Sequence, residues 1–423
     1  MPPACSNVHQ AVPIPSLSSS ERKGLRKTNK GSRTIFNFSA LPPLALYIHI
    51  PWCVRKCPYC DFNSHEAKQT IPEHDYITAL VSDLDQCLPS VWGRTVDTIF
   101  IGGGTPSLFS SEGMDRLLSE IRARLPLAPG IEITMEANPG AIEQAKFAEF
   151  RSAGINRLSI GIQSLNDDLL QRIGRVHSAR EAYRAVENAH DAGFERINLD
   201  LMYALPTQTL PQALQDLNNA LALEPTHLSH YQMTIEPNTW FHKHPPVTPD
   251  DDLSWTMQSQ CQAQLRDAGF EHYEVSAYAR PGKQCRHNIN YWQYGDYLGI
   301  GAGAHAKITD AAQQNITRTA VVKHPNDYLQ LASTEQRHAT KEVLSRNEVP
   351  FEFMMNALRL TEGFQSSLFF EHTGLPLSTI DSALQRAEDE GLLEYSVQLI
   401  RPTEKGQRFL NTLLELFLPA DNQ

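Results

Sequence analysis

Six short apolar segments, separated from one another by longer helical ones, constrain the fold of this 423-residue chain most strongly. Each is six or seven residues long, rich in Ile, Val, Leu and Phe, and mostly apolar on both faces, as buried parallel strands are. These strands are predicted at 44–50, 96–101, 131–136, 157–162, 196–202 and 227–233. The helices are predicted at 73–88, 110–125, 142–153, 178–192, 210–222 and 249–268. Six successive βα units predict an α/β fold, a partial parallel (β/α)6-type barrel whose chemistry lies at the C-terminal ends of the strands.

The pattern changes after residue 335, which divides the chain into a barrel region at 43–335 and a C-terminal domain at 336–423. The predicted C-terminal elements are a helix at 349–360, an amphipathic helix ending at Gly391, a hairpin at 392–395 and 398–401, and a last helix at 404–416. This order predicts a mostly helical, winged-helix-like domain. Three acidic residues, 388–390, end the would-be recognition helix. They favour packing or partner docking over DNA binding.

Charge and composition limit the partners and the location. The chain carries 37 basic and 48 acidic residues, a net charge of −11, which argues against nucleic acid as a partner. Residues 1–42 are instead basic and rich in Ser and Pro, which predicts a disordered extension. That extension is either an organellar transit peptide or a dispensable bacterial addition. No apolar run approaches the roughly 20 residues that cross a bilayer. The expected location is therefore the cytoplasm, or an organelle if the extension is a transit peptide.

Three cysteines, Cys53, Cys57 and Cys60, lie within eight residues directly after the first strand. Thiolates are soft ligands that suit iron–sulfur clusters or zinc. Zinc normally takes four protein ligands, and His49 or His65 could complete such a set. Three cysteines holding a [4Fe–4S] cluster would instead leave one iron open to a ligand. The remaining cysteines are scattered, as expected in a reducing compartment: Cys5, Cys87, Cys261 and Cys285.

Polar and glycine-rich segments follow the later strands. The segment 102–107, Gly-Gly-Gly-Thr-Pro-Ser, follows the second strand, where missing Cβ atoms would let a ligand reach the backbone. The alternative is an ordinary tight turn. Glu136, Gln163 and Asp200 lie at the ends of, or within, the next three strands. Each could cap a helix, but their recurrence at successive strands favours ligand contact.

The Cys-x3-Cys-x2-Cys spacing resembles the signature of the radical SAM superfamily. Further segments resemble the oxygen-independent coproporphyrinogen III oxidase family: Tyr47-Ile-His-Ile-Pro-Trp-Cys53, Gly102-Gly-Gly-Thr-Pro-Ser107, Glu136-Ala-Asn-Pro139, Gly161-Ile-Gln-Ser-Leu-Asn166 and Asn198-Leu-Asp-Leu-Met-Tyr203. The resemblance covers about residues 44–415. It implies a [4Fe–4S] cluster on Cys53, Cys57 and Cys60, and an S-adenosylmethionine (SAM) bound at its open iron. It further implies a first SAM site at Tyr47, Gly103 and Glu136, and a second lined by Gly104, Thr105, Gln163, Arg175 and Asp200.

The segment 285–292, Cys-Arg-His-Asn-Ile-Asn-Tyr-Trp, is polar and aromatic and is expected to form a loop between barrel and C-terminal domain. An imidazole is a natural axial ligand of heme iron. His287 could therefore bind heme, with Tyr291 packing on the porphyrin. Cys285 is a rival thiolate ligand, and a hydrogen-bonded loop histidine is the alternative without heme. Three further histidines carry weaker expectations: His305 in a glycine-rich return towards the site, and His242 and His244 in an exposed loop.

Two features separate the chain from the oxidases. The oxidases carry one more cysteine two residues after the third, where this chain has Phe62. The segment His287-Asn-Ile-Asn-Tyr291 resembles the HNxxY motif of the heme-chaperone (HemW) branch. That resemblance implies heme binding, heme transfer to apo-proteins such as respiratory cytochromes, an electron donor, and peripheral rather than transmembrane contact with membranes. The alternatives are a coproporphyrinogen III oxidase and a zinc-stabilised barrel without redox chemistry.

Overall fold

The computed structural model describes residues 36–140 and 146–419. Its main feature is a sheet of twelve strands. The strands are β1 Leu44–Ile50, β2 Val96–Gly103, β3 Leu127–Ala137, β4 Arg157–Gln163, β5 Ile197–Tyr203, β6 His227–Gln232, β7 Glu271–Glu274, β8 Ala277–Ala279, β9 Asp296–Ile300, β10 His305–Asp310, β11 Asn315–Val321 and β12 His338–Val343. The six predicted strands are β1 to β6, and they pair in parallel in chain order. The predicted α/β fold is confirmed.

The sheet extends beyond the six predicted strands at both edges. Its order is β12-β11-β10-β9-β1-β2-β3-β4-β5-β6-β8-β7. β9 is a seventh parallel strand, aligned with β1 so that Tyr47 faces Gly299. β10 to β12 continue antiparallel on that side, and β8 and β7 do so on the other. The glycine-rich return expected near His305 is therefore the junction of β9 and β10. A Cβ atom at Gly299 would lie 1.9 Å from the carbonyl oxygen of His305.

The helices pack on the sheet as crossover connections. Those of the barrel region are α1 Glu73–Cys87, α2 Ser111–Arg124, α3 Phe147–Ala153, α4 Asp167–Arg172, α5 Ala179–Asp191, α6 Leu210–Leu221, α7 Trp240–Lys243, α8 Asp251–Asp267, α9 Arg286–Trp292 and α10 Pro325–Leu331. A capping box between Ser178 and Glu181 starts α5, as its sequence predicts. Part of the helix predicted at 142–153 lies outside the described residues. Within the described part of the chain, no helix is both long and apolar enough to cross a membrane.

The C-terminal unit has its own apolar core. Its elements are α11 Val349–Ala357, β13 Phe364–Gln365, α12 Ser366–Thr373, α13 Asp381–Asp389, β14 Leu393–Tyr395, β15 Leu399–Pro402, α14 Glu404–Arg408 and α15 Leu410–Glu415. The predicted hairpin is β14 and β15, and β13 completes a small three-stranded sheet. The predicted last helix is two helices, because the chain leaves helical geometry at Phe409.

Two segments do not follow the predicted division into an extension at 1–42, a barrel region at 43–335 and a C-terminal domain at 336–423. β12 follows residue 335 yet pairs with β11 in the large sheet, because its backbone groups complete that edge. Phe36 and Phe38, which we expected in a disordered extension at 1–42, are buried in the C-terminal core. The backbone of Asn37 also donates to the carbonyl of Gly374 at 2.9 Å. The rest of the predicted extension, residues 1–35, lies outside the described residues.

Candidate functional site: a cysteine-lined cavity at the strand ends

A cavity opens at the C-terminal ends of the parallel strands, between them and the cysteine loop. Ten of the residues expected from the sequence line it: Cys53, Cys57, Cys60, Gly103, Gly104, Thr105, Glu136, Gln163, Arg175 and Asp200. The sequence prediction missed Tyr59, Asn138 and Tyr231, which also line it. Asn138 lies in the motif Glu136-Ala-Asn-Pro139, and its position directly after β3 could have identified it as a cavity residue. The structure thus brings together residues in or just after five strands, β2 to β6, with the cysteine loop and the segment that follows α4.

The three cysteines each have a hydrogen-bonding side chain beside the sulfur: Thr105 for Cys53, Arg175 for Cys57 and Ser64 for Cys60. Burial raises the pKa of the Cys60 thiol to about 12, and it raises that of Cys53 as well. A thiolate therefore needs a positive counter-charge here, such as iron, to form at neutral pH. Soft sulfur donors directed into one cavity fit an iron–sulfur cluster.

These side chains fit a single zinc ion less well, because they do not form a compact set of ligands. Within residues 36–140 and 146–419, no three His, Cys, Asp or Glu side chains lie close enough together to hold one ion. His49, a suggested fourth ligand, uses both ring nitrogens elsewhere: Nδ1 lies 3.0 Å from the Tyr47 hydroxyl, and Nε2 lies 2.8 Å from the carbonyl oxygen of Asn63. The second suggested ligand, His65, has its Nε2 3.3 Å from Oδ1 of Asn63.

The glycines of the 102–107 segment have a structural reason that differs from the expected one. A Cβ atom on Gly103 would lie 2.6 Å from the His49 ring, and one on Gly104 would lie 2.5 Å from the carbonyl oxygen of Trp52. Gly103 also has a φ of +117°, which L side chains rarely adopt. The backbone of Thr105 donates to the same Trp52 carbonyl at 2.7 Å. The missing side chains therefore let the segment pack against the cysteine loop, and they hold that loop in place.

Glu136 lies at the end of β3, with its side chain partly buried in the cavity wall. Its pKa is raised from 4.5 to about 8, mainly by burial and also by the nearby charge of Asp200, whereas a hydrogen bond from the backbone of Gly103 opposes the change. That bond joins the Gly103 nitrogen to Oε2 of Glu136 at 2.9 Å. A buried carboxyl with a raised pKa can donate a hydrogen bond when protonated, or pair with a ligand's cation when ionised.

Gln163 and Asp200 extend the polar wall across β4 and β5. Gln163 has a φ of +64° beside a register shift in β4, and its Oε1 accepts a hydrogen bond from Tyr231 at 2.8 Å. Asp200 accepts from Asn198 at 2.8 Å and from Ser159 at 3.2 Å. Burial raises the pKa of Asp200, and these hydrogen bonds oppose that change. The wall thus offers acceptors and an amide to hydroxyl or ammonium groups.

Tyr47, His287 and Tyr291 do not line the cavity. Tyr47 is buried behind it, bonded to His49. His287 lies on α9 rather than on the expected loop, and it is only 1% exposed. Its Nδ1 lies 2.9 Å from the Thr98 hydroxyl, and its Nε2 lies 3.0 Å from the Tyr291 hydroxyl. The expectation of an accessible loop ligand is therefore corrected.

Helix α9 closes the end of the barrel opposite the cavity. His287 contacts Thr98, five residues before Gly103 in β2, which corresponds to about 16 Å along a strand at roughly 3.3 Å per residue. The rival ligand Cys285 is also buried, which raises the pKa of its thiol to about 12. The weaker candidate His305 is exposed at the start of β10. His242 and His244 are exposed, as expected, but His242 lies on helix α7 rather than on a loop, and His244 follows that helix with its ring beside Trp240.

Comparison with known proteins agrees with this architecture. Residues 47–218 match the radical SAM superfamily, and residues 344–409 match the HemN C-terminal domain. The chain is 50% identical over 89% of its length to the heme chaperone HemW of Escherichia coli, covering 99% of that protein. It is 35% identical over 88% of its length to the heme chaperone HemW of Bacillus subtilis, covering 98% of that protein.

A solved structure shares the fold. The coproporphyrinogen III oxidase HemN of Escherichia coli, a radical SAM enzyme, superimposes with a TM-score of 0.76 at 22% identity, over 89% of this chain and 90% of that one. The likeness in sequence extends over nearly the whole length of the HemW relatives. The chain therefore belongs to the HemW family of the radical SAM superfamily.

Proposed function

We propose that the protein is a heme chaperone, which binds heme and passes it to apo-proteins such as respiratory cytochromes. The observation that carries the proposal is the 50% identity to relatives named as heme chaperones, over 89% of this chain. Phe62 supports it, because this residue lines the cavity at the position where the oxidases have another cysteine. We also propose that the protein acts in the cytoplasm. An electron donor would be its second partner.

We propose that Cys53, Cys57 and Cys60 hold a [4Fe–4S] cluster, which would supply one-electron chemistry and an open iron for SAM. The remaining cavity side chains would then bind and orient SAM. Glu136 and Asp200 offer carboxyl groups to an ammonium or to ribose hydroxyls. Tyr47 acts indirectly, because it holds the His49 ring that packs against the Gly103 backbone.

We also propose His287 and Tyr291 as heme contacts, which requires α9 to move. Neither ring nitrogen of His287 can ligate iron while Thr98 and Tyr291 occupy them. The C-terminal unit secures the end of this helix. The Arg359 guanidinium lies 4.3 Å from the centre of the Trp292 ring, and Nδ1 of His372 lies 2.6 Å from the carbonyl oxygen of Gln293. Heme entry would therefore loosen the contact between this unit and the barrel.

Heme titration combined with hydrogen exchange tests this proposal. We expect the wild-type protein to bind heme with a defined Soret band, and we expect amides of 286–294 to exchange faster in the heme-bound protein. His287→Ala should weaken heme binding or shift the band, whereas His242→Ala, at an exposed position, should not. Unchanged binding in His287→Ala, with unchanged exchange at 286–294, would remove this helix from the heme site. Absence of heme binding by the wild-type protein would contradict the chaperone function itself.

A further inference from the structure

The guanidinium of Arg175 is fixed against the cysteine loop. Its Nη2 donates to Oδ1 of Asn138 at 2.8 Å and to the carbonyl oxygen of Gly161 at 2.6 Å. Its Nη1 lies 3.6 Å from the sulfur of Cys57, within hydrogen-bonding distance. The hydrogen bonds to Asn138 and Gly161 thus fix the guanidinium so that Nη1 is directed at the Cys57 sulfur. The resemblance to the oxidase family implied only a contact with SAM for this side chain.

The side chain of Asn138, which accepts a hydrogen bond from Arg175, is itself held in orientation. Nδ2 of Asn138 donates to the Thr105 hydroxyl at 2.8 Å, which leaves Oδ1 to accept from Arg175. Asn138 therefore links the segment at the end of β2 to the guanidinium beside Cys57.

Within residues 36–140 and 146–419, no carboxylate oxygen lies within 4 Å of the Arg175 guanidinium nitrogens. Among the ion pairs formed by the described residues, none includes Arg175, and its Nε is buried without a hydrogen bond. Arg175 is partly buried, and a charge partly withdrawn from water is stabilised by a neighbouring opposite charge. The nearest group that can become negative and that it already contacts is the Cys57 sulfur, which would be a thiolate in a cluster.

We propose that Arg175 sets the reduction potential of the cluster through its bond to Cys57, and that Asn138 positions it. The inference rests on the cluster proposed above. Reduction adds one electron, supplied by an external reductant, and so adds one negative charge to the cluster and its thiolates. A fixed cation and a hydrogen bond at a ligating sulfur stabilise the more negative state, and they raise the potential. No proton moves, because an arginine stays protonated.

The test is a redox titration of the anaerobically reconstituted, SAM-free protein, followed by EPR of the reduced cluster. We expect the midpoint potential of Arg175→Gln to shift to more negative values. Asn138→Ala should give a smaller shift of the same sign, because the guanidinium keeps its bond to Gly161. Arg172→Gln is the matched control, since Arg172 is an exposed arginine on α4 that bonds to the carbonyl of Pro206. Its potential should equal that of the wild type.

A wild-type potential in Arg175→Gln with full cluster content would overturn the inference and leave the chaperone function untouched. If that variant takes up no cluster, Asn138→Ala decides. A potential below the wild-type value in that variant supports the inference, and a wild-type potential refutes it. Failure of the wild-type protein to form a cluster would instead refute the cluster assignment.

Discussion

The partly buried carboxyl of Glu136 should make the metal-free protein less stable as the pH rises. Its pKa is about 8 in the folded protein against 4.5 for an unperturbed glutamate. Between these values the folded state holds a proton that the unfolded state has released, so stability falls with increasing pH. One pKa unit corresponds to about 1.4 kcal/mol, and the full change to about 5 kcal/mol. This is an upper bound, since water entering the cavity solvates the carboxylate.

Glu136→Gln removes the charge and keeps an oxygen that can accept the hydrogen bond from Gly103. We expect the variant and the wild type to have similar free energies of unfolding at pH 5. By pH 9 the variant should be more stable by up to about 5 kcal/mol, which corresponds to several degrees in Tm. Thermal and urea unfolding of both proteins without metal, measured from pH 5 to pH 9, gives this difference directly.

The control is Glu187→Gln, at an exposed position on α5, for which no pH-dependent difference is expected. A Glu136→Gln variant whose stability differs from the wild type by the same amount at every pH would refute the reasoning. So would a variant that is less stable than the wild type at pH 9. Glu136→Gln should also weaken SAM binding. The Glu136 carboxylate lowers the stability of the free protein, but it can pair with a cationic group of the ligand.

Two further predictions concern the cysteine loop and the segment packed on it. Cys57→Ala should lose the visible absorption and the iron of the reconstituted cluster, whereas Cys87→Ala, outside the cavity, should retain both; full iron content in Cys57→Ala would contradict the ligand assignment. Gly104→Ala should cost about 1–3 kcal/mol through overpacking and should lower cluster content, because its Cβ would lie 2.5 Å from the Trp52 carbonyl oxygen. Gly93→Ala, which has no neighbour within 4 Å of its added Cβ, should lose stability through its φ of +76° alone and should keep the cluster; equal cluster loss in both would refute the packing argument.

The parallel strands could be predicted because their sequences are apolar on both faces. β10 to β12 could not, since they are rich in polar residues and β12 is largely exposed. β9 was not predicted because it has only five residues and contains Gly299. In each case the strand is stabilised by pairing with a neighbouring strand, and the local sequence does not indicate that pairing.

The cavity residues were predictable because strand ends meet at one edge of a barrel. The burial of His287 was not, since Thr98 and Glu132, which bond its ring and its backbone, lie about 150 to 190 positions away in sequence. The packing role of Gly103 depends in the same way on His49, which is remote in sequence and close in space. Such contacts follow from the topology of the fold, and a local motif cannot contain them.

Heme transfer measured on one anaerobically reconstituted preparation tests the central claim most directly. Heme-loaded protein is mixed with an apo-cytochrome, and the same batch is assayed for coproporphyrinogen III decarboxylation with SAM and a reductant. We predict transfer of heme to the acceptor and no porphyrinogen product, because Phe62 occupies the position of the further cysteine in the oxidases. Robust conversion of coproporphyrinogen III without heme transfer would contradict the account.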